Sequence, residues 1–394
     1  MARPPLRPAL EILDRRDTPS ANIEDVASLP HLPGMAADYP TDFAEITVAG
    51  RVGTPLRGEI HQPQLVVETV AVESRVEPPL KAQVRPRFAV TSAAGRPTTV
   101  SVYDGPTNSL VGDLTPFDRA FTGGARVATA DITGDFVDDV VVAAGPGSAP
   151  WVQVYDGVTL AKVRGFLAYA ETFTGGVAIA AGDIDGDGRA DIVTGAGAMG
   201  GPHVKVFDGH DVTASTPPGD VTVPATRSFF AYEPDFLGGV TVAVADVNAD
   251  GAADIVTGAG VGGGPRVRAF AGRNLEVLCD FFAFDPDSRV GVSVAAGDFG
   301  DGRVRVAAAE LDGGHTVRLY DEGRLSREYT PFGQGTPAAG VAAHDLTGRG
   351  HSSLVVTTGR GAKPQVVVLD GLTGGVDHAL PTLPAGYDDG LYVG

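Results

Sequence analysis

The chain of 394 residues contains a single cysteine, Cys279. One thiol cannot close an internal disulfide, and it cannot supply the sulfur set of a cysteine-rich zinc site. Its neighbours, LEVLCDFFAF, read as a strand, so Cys279 is expected to be a small buried apolar residue. Positive charge is also scarce: 30 basic residues stand against 49 acidic ones, a formal charge of -19. That sign repels phosphate backbones, which argues against nucleic acid as a partner and favours cations. No apolar run approaches the roughly 18 residues of a membrane helix, so no transmembrane segment is expected. The start, MARPPLRPALEILDRRDTPSA, has early arginines, but Glu11, Asp14, Arg15 and Arg16 break the apolar stretch of a standard signal peptide.

Glycine (54) and proline (29) are plentiful. At about a fifth of the chain they suit turn-rich β structure better than helix bundles. Five anchors, Asp131, Asp183, Asp246, Asp298 and Asp345, lie 52, 63, 52 and 47 positions apart. A period near 50 in a β-type sequence points to propeller blades. Around Asp183 the unit reads GGVAIAAGD, DIVTGAG and PHVKVFDG, and the unit around Asp246 supplies the fourth-strand type from RSFFAY. Valine alternates with other residues in HVKVF and RVRAF, as in half-buried strands, whereas AIAAG and DIVTG look buried on both faces. Asp-Gly breaks at Tyr155 to Gly157, Phe207 to Gly209 and Leu369 to Gly371 supply tight hairpin turns. The long interval after Asp183 holds an insertion, DVTASTPPGDVTVPAT, whose Pro217 and Pro218 mark an outer-edge loop.

A half unit precedes the first anchor: RFAVTSA matches DIVTGAG, and TVSVYDG matches HVKVFDG. Its missing first strand resembles Gly390 to Gly394, so the last strand is expected to close the ring. The expected fold is therefore all-β, a six-bladed propeller of four-stranded antiparallel blades over residues 87 to 394. Residues 1 to 86 are proline-rich and lack the repeat, and we expect a mostly disordered arm serving as linker or sorting segment.

The loop DIDGDGRAD places Asp183, Asp185, Asp187 and Asp191 at odd positions, with the main-chain carbonyl of Arg189 at the seventh and Gly188 permitting the turn. Hard oxygen donors on alternate residues around a glycine turn suit calcium, not zinc. The second complete copy has Asp246, Asn248, Asp250 and Asp254, with Gly251 at the turn and the carbonyl of Ala252 at the seventh position. A third, weaker copy retains Asp131, Asp135 and Asp139, but Thr133 replaces the second acid and Phe136 the turn glycine. The loops at Asp298 (DFGDGRV) and Asp345 (DLTGRGHSS) have lost the pattern and are expected to hold no ion. An EF-hand is excluded because Thr194 and Thr257 stand where its twelfth-position glutamate belongs and a strand follows instead of a helix.

The pattern D-x-[DN]-x-[DN]-G-x-x-D, followed by D-I-V-x-G and preceded by Phe173 to Gly176 or Phe236 to Gly239, resembles FG-GAP or VCBS repeats, as in the propeller of integrin α subunits. The resemblance spans about residues 87 to 394 and counts six blades where integrins have seven. It implies calcium held between the first and second strands of a blade. It also implies adhesion or binding outside the cytoplasm, a calcium-rich setting that suits weak loops.

Alternating strand directions put the acidic loops on one face of the ring and the glycine-rich loops on the other. There Trp151, His203, Arg266, His315 and Lys363 recur at nearly the same point in successive copies. Varied tips on a rigid scaffold suit a protein or carbohydrate partner, bound by a monomer. The segment GAGVGG from Gly258 fits a nucleotide-loop pattern, but Pro265 begins a strand where a helix is required, so it reads as a hairpin turn. The rival reading is a polysaccharide lyase or hydrolase using His203 or His315, recognisable by a deep central pocket.

Overall fold

Alternating valines and glycine-punctuated turns fold, in a computed structural model, into consecutive antiparallel sheets. The structure describes residues 84–92, 94–214, 219–220, 222–346, 350–359, 361–379 and 391–393. The chain divides into two units, Met1–Ser74 and Arg75–Gly394, and everything below belongs to the second. The expected arm lies outside the described residues except for Val84, Arg85 and Pro86.

The first blade contains β1 (Arg87–Ser92), β2 (Val100–Asp104) and β3 (Leu110–Leu114). The second has β4 (Ala125–Ala130), β5 (Asp139–Ala144), β6 (Trp151–Tyr155) and β7 (Lys162–Leu167). The third has β8 (Val177–Gly182), β9 (Asp191–Ala196) and β10 (His203–Phe207), then α1 (Gly209–Thr213), β11 (Gly219–Asp220) and the outer strand β12 (Arg227–Phe230). The fourth has β13 (Val240–Ala245), β14 (Asp254–Ala259), β15 (Arg266–Phe270) and β16 (Val277–Phe282). The fifth has β17 (Val292–Asp298), β18 (Val304–Glu310), β19 (Val317–Asp321) and β20 (Arg324–Tyr329). The sixth has β21 (Ala338–His344), β22 (Ser353–Thr358), β23 (Val366–Leu369) and β24 (Val376–Ala379). The last strand, β25 (Leu391–Val393), pairs antiparallel with β1 and completes the first sheet. Six blades closed by the C-terminal strand are what the repeat count predicts.

The core lies between blades. Second strands such as β9 are buried along their whole length. Ile192 joins the cluster containing Phe166 and Phe207, while the next residue, Val193, joins the cluster containing Val242 and Ile255 of the fourth blade. Alternate residues of one strand thus face opposite neighbours, which is why DIVTG shows no polar side. Each such side chain contributes about 1.5–3 kcal/mol through burial.

Two polar devices fix blade against blade. The Tyr232 hydroxyl, after β12, donates to the carbonyls of Thr257 (3.0 Å) and Arg266 (2.9 Å) in the fourth blade. Gly239 holds φ at 80°, and a Cβ there would lie 2.5 Å from the carbonyl carbon of Gly197 in the preceding blade. The Phe-x-Gly-Gly segment is therefore a close-approach device between blades.

The insertion differs from the expected loop. It forms α1, capped by Asp208, whose side chain accepts from the His210 N–H at 2.7 Å. It then lays β11 parallel to β7, making the second sheet five-stranded. Fully buried Arg164 of β7 donates to the Val212 carbonyl at 2.7 Å. The insertion covers an outer sheet edge that would otherwise present unpaired backbone groups.

Candidate metal loops and the glycine-rich face

Three hairpins, β4–β5, β8–β9 and β13–β14, share one loop geometry. The first aspartate caps the turn: the Oδ2 atoms of Asp131, Asp183 and Asp246 accept, at 2.9 Å each, from the N–H of Phe136, Gly188 and Gly251. Those three donors have φ of 65°, 94° and 86°. Phe136 thus takes a left-handed conformation that glycine takes freely. Left-handed backbone also occurs two residues earlier, at Gly134, Gly186 and Ala249.

The ninth-position acid does something else. Asp139, Asp191 and Asp254 are buried at the first position of their second strands. One Asp191 oxygen accepts from Ile184 (3.0 Å), and the other from Gly209 (3.0 Å) in the turn after β10. Asp139 reaches Gly157 (2.9 Å), and Asp254 reaches Gly272 (3.0 Å), in the same way. In each of these blades the acid ties the loop to the glycine of the turn after the third strand, a glycine preceded by Asp156, Asp208 and Ala271 respectively. Burial outweighs these hydrogen bonds and raises Asp139 and Asp191 to about 6, and it raises Asp254 as well.

The loops are also chained around the ring. Ala190 N–H donates to the Asp131 carbonyl (3.0 Å), and Ala253 N–H to the Asp183 carbonyl (2.6 Å). Arg189 crosses to the preceding blade and donates to the Ile132 carbonyl at 2.7 Å. Whatever steadies one loop therefore steadies the next blade.

Oxygens of Asp183, Asp185 and Asp187 lie within 4.8 Å of one another. This all-oxygen set fits a hard divalent cation. Among the described residues it is the one group of three acids, histidines or cysteines so gathered. Asp191, turned inward, stands outside it. In the second loop Asn248 Nδ2 lies 3.0 Å from Asp250, and Arg273 lies 3.5 Å from the same carboxylate. The remaining blades replace the ninth acid. Arg305 stands there in the fifth and makes a two-pronged ion pair with Asp301 (2.8 and 2.7 Å), and Ser353 stands there in the sixth. In the fifth blade, a guanidinium in that position would oppose a cation.

On the opposite face, Trp151, His203 and Arg266 open β6, β10 and β15, while His315 and Lys363 lie in the loops before β19 and β23. The structure spreads them over five blades: Trp151, His203 and Arg266 share one register position, whereas His315 and Lys363 lie one and two residues before it. Trp151, His203, Arg266 and His315 are half-buried, and Lys363 is exposed. The His203 ring packs against Tyr169 and Phe230, with centroids at 5.5 and 4.9 Å, and burial lowers its pKa. Arg266 is held by both oxygens of Asp280 at 2.7 Å. His315 Nδ1 is buried with no hydrogen-bond partner. Neither His203 nor His315 has a carboxylate within ion-pair distance among the described residues; His203 Nε2 instead lies 2.8 Å from the Ser228 hydroxyl.

Sequence reasoning missed the apolar tips on this face. Met199 is 80% exposed, Leu237 59%, Val261 60%, Phe230 50% and Phe282 49%. Met199 N–H donates to the Leu237 carbonyl at 2.8 Å, so the two loops touch. Met199 has φ of 72° where the sister loops place Gly147 (97°) and Gly262 (93°). The signal was legible as a methionine among aligned glycines.

Between the faces runs a narrow channel lined by valine and alanine, with Thr129 and His344 hydrogen-bonded near its acidic-loop end. Burial lowers the His344 pKa to about 4. The unfolded chain then binds a proton between about pH 6.5 and 4 that the folded chain refuses, so this group's contribution is present above pH 6.5 and is lost as pH falls through that window. Asp139 and Asp191, raised to about 6, act in the opposite sense over the same range. Comparison with His344→Gln isolates the histidine: urea unfolding from pH 7 to 4 should show the variant spared about 3 kcal/mol of the loss. Equal slopes for the two proteins would refute the assignment.

The FG-GAP repeat profile matches residues 175–204, which run from Gly175 through β8, the acidic loop and β9 into β10. Fold and loops together define a six-bladed β-propeller with an FG-GAP repeat in its third blade. Among solved structures the chain is similar to the Dos1 propeller, with a TM-score of 0.41 and 13% identity over 72% of this chain and 66% of that one. It is also similar to a protein of unknown function from Bacteroides caccae, with a TM-score of 0.47 and 12% identity over 78% of this chain and 98% of that one. The chain thus spans slightly less than two thirds of the length of the Dos1 propeller it matches. No curated protein matches.

Proposed function

We propose that this protein is a calcium-stabilised, extracytoplasmic binding module, monomeric, that holds a protein or carbohydrate partner on its glycine-rich face. The acidic loops brace the scaffold, with Asp183, Asp185 and Asp187 as the principal ligands and the loops at Asp246 and Asp131 as further sites. The observation that carries the binding role is Met199, an apolar side chain 80% exposed on a left-handed backbone where glycine would be unstrained. Strain of about 1 kcal/mol or more, kept to display an apolar tip, is the mark of a functional surface. Leu237, Val261 and Phe230 extend the patch, and Trp151 and Arg266 are of the types that anchor interfaces.

The test is capture on an array of immobilised glycans and extracellular proteins. Wild type should bind in at least one class, and Trp151→Ala with Arg266→Ala should weaken that capture about tenfold or more. Met199→Gly should weaken it too, while raising stability by about 0.5–1 kcal/mol as strain is relieved. Capture unchanged in all three substitutions removes the binding site from this face.

A further inference from the structure

The inner strands of the six blades place one residue each at the same level of the channel mouth on the glycine-rich side. Pairing registers identify them as Arg126, Ala178, Thr241, Ser293, Gly340 and Tyr392. All six line a cavity of about 560 Å³. The next levels inward are almost wholly valine and alanine. A ring whose neighbouring levels are uniform, but whose own six members are chemically varied, is where a symmetric scaffold departs from its own packing rule.

Two of the polar members, Arg126 and Ser293, make little use of their donors among the described residues. Arg126 is half-buried, and its single hydrogen bond within the described protein goes to the adjacent Ala125 carbonyl at 3.2 Å. No carboxylate pairs with it among the described residues, although the chain carries 49 acids. The guanidinium carbon lies over the Tyr392 ring, 3.3 Å from its centroid, a cation–π contact that holds the group at the mouth without using its N–H donors. Ser293 has no hydrogen-bond partner among the described residues, whereas Thr241 is already committed to the Val292 carbonyl at 2.8 Å. The cavity floor offers apolar contact.

We infer that this mouth binds a small hydroxylated carboxylate of the size and class of a uronic acid, its carboxylate on the edge of Arg126 and a hydroxyl on Ser293. A planar guanidinium offers two parallel N–H donors, the match for a carboxylate. One unpaired positive charge balances one negative charge, so a monoanion suits the site better than phosphate on a chain of net charge -19. The volume lies within the range of small-molecule sites. This inference rests on the glycine-rich side being the binding face, and it names the ligand class and the station on that face.

The experiment is calorimetric or NMR titration of the calcium-loaded full chain with glucuronate, glucose and inorganic phosphate. Glucuronate should bind in the millimolar range, as expected for a ligand of its size, with glucose and phosphate each about tenfold weaker or more. Arg126→Gln should weaken glucuronate about ten- to a hundredfold, with Arg126→Lys intermediate because it retains charge without the fork. Ser293→Ala, which removes a hydroxyl with no hydrogen-bond partner among the described residues, should weaken it several-fold and guards against misfolding of the arginine variants. Phosphate binding as tightly as glucuronate, full binding by Arg126→Gln, or no glucuronate binding up to about 50 mM overturns the inference. The Trp151→Ala, Arg266→Ala protein, titrated in parallel, separates the two readings. If it alone loses array capture while Arg126→Gln is unaffected, the mouth site fails and the face stands.

Discussion

Calcium added to chelator-treated protein should raise the midpoint of thermal unfolding by about 8 °C if the proposed sites bind it. The figure follows from linkage. At a calcium concentration about a hundredfold above the dissociation constant, each site adds about 2.7 kcal/mol, so two complete loops add about 5 kcal/mol. Roughly 300 ordered residues unfold with an entropy near 2.1 cal/mol/K each, which converts that energy into about 8 °C. Loops without a twelfth-position glutamate should have dissociation constants of about 10⁻⁴ M, so about 10 mM calcium is the concentration to reach. Choice of control matters. Asp183→Ala with Asp246→Ala removes ligands, but it also strips the acceptors of the Gly186, Asp187, Gly188, Asp250 and Gly251 N–H groups, and it should lower stability without any metal. Asp185→Ala with Asn248→Ala spares the first-position caps, although Asn248→Ala removes the acceptor of the Asp250 N–H (2.9 Å) and a bond to the Asp250 carboxylate (3.0 Å). The Asp185 side chain accepts only the Asp187 N–H at 3.1 Å within the loop. The informative quantity is the calcium-dependent increment: large in wild type, small in both double variants. An increment absent at about 10 mM, or equal in all three proteins, shows that the acids only form turns.

Deletion of residues 390–394 opens the ring. The strand Leu391–Val393 supplies the inner edge of the first sheet, paired as Val90 to Val393, Thr91 to Tyr392 and Ser92 to Leu391. Its loss strands the inner edge of β1 and removes Tyr392 from beneath Arg126. Three residue pairs of backbone hydrogen bonding at about 1 kcal/mol each, with roughly another 1 kcal/mol from the cation–π contact, set a floor of about 3–4 kcal/mol. The exposed edge should also promote association. Urea unfolding and light scattering measure the two effects. A peptide of sequence DDGLYVG added in trans should restore part of the lost stability by strand addition. A truncated chain that unfolds at the wild-type midpoint shows that the ring does not depend on this closure.

Much of this architecture was legible in the residues because a propeller repeats its physics. The run DIVTG is apolar on consecutive positions because its strand is packed on both sides. In the three blades with acidic loops, the glycine after the third strand recurs because the ninth acid accepts from its N–H, as Asp191 does from Gly209 and Asp254 does from Gly272. Even closure was visible, since a chain that begins with a second-type strand must find its first strand elsewhere. The candidate site was legible in its residues and not in their division of labour. Spacing treated Asp183 and Asp191 alike. In the structure Asp183 caps an exposed turn in the cluster with Asp185 and Asp187, while Asp191 is a buried brace.

What the sequence determined by itself is whatever depends on neighbours along the chain: strand period, turn chemistry, oxygen spacing in the loops, net charge and blade count. Tertiary structure alone decided what depends on residues far apart. Arg126 and Tyr392 meet only because the ends of the propeller are joined. The outer insertion becomes an added strand only because β7 presents an edge to it. Met199 is conspicuous only once its backbone is seen to turn left-handed beside the Leu237 loop. Local pattern encodes local geometry, whereas a ring brings into contact residues that no local pattern relates.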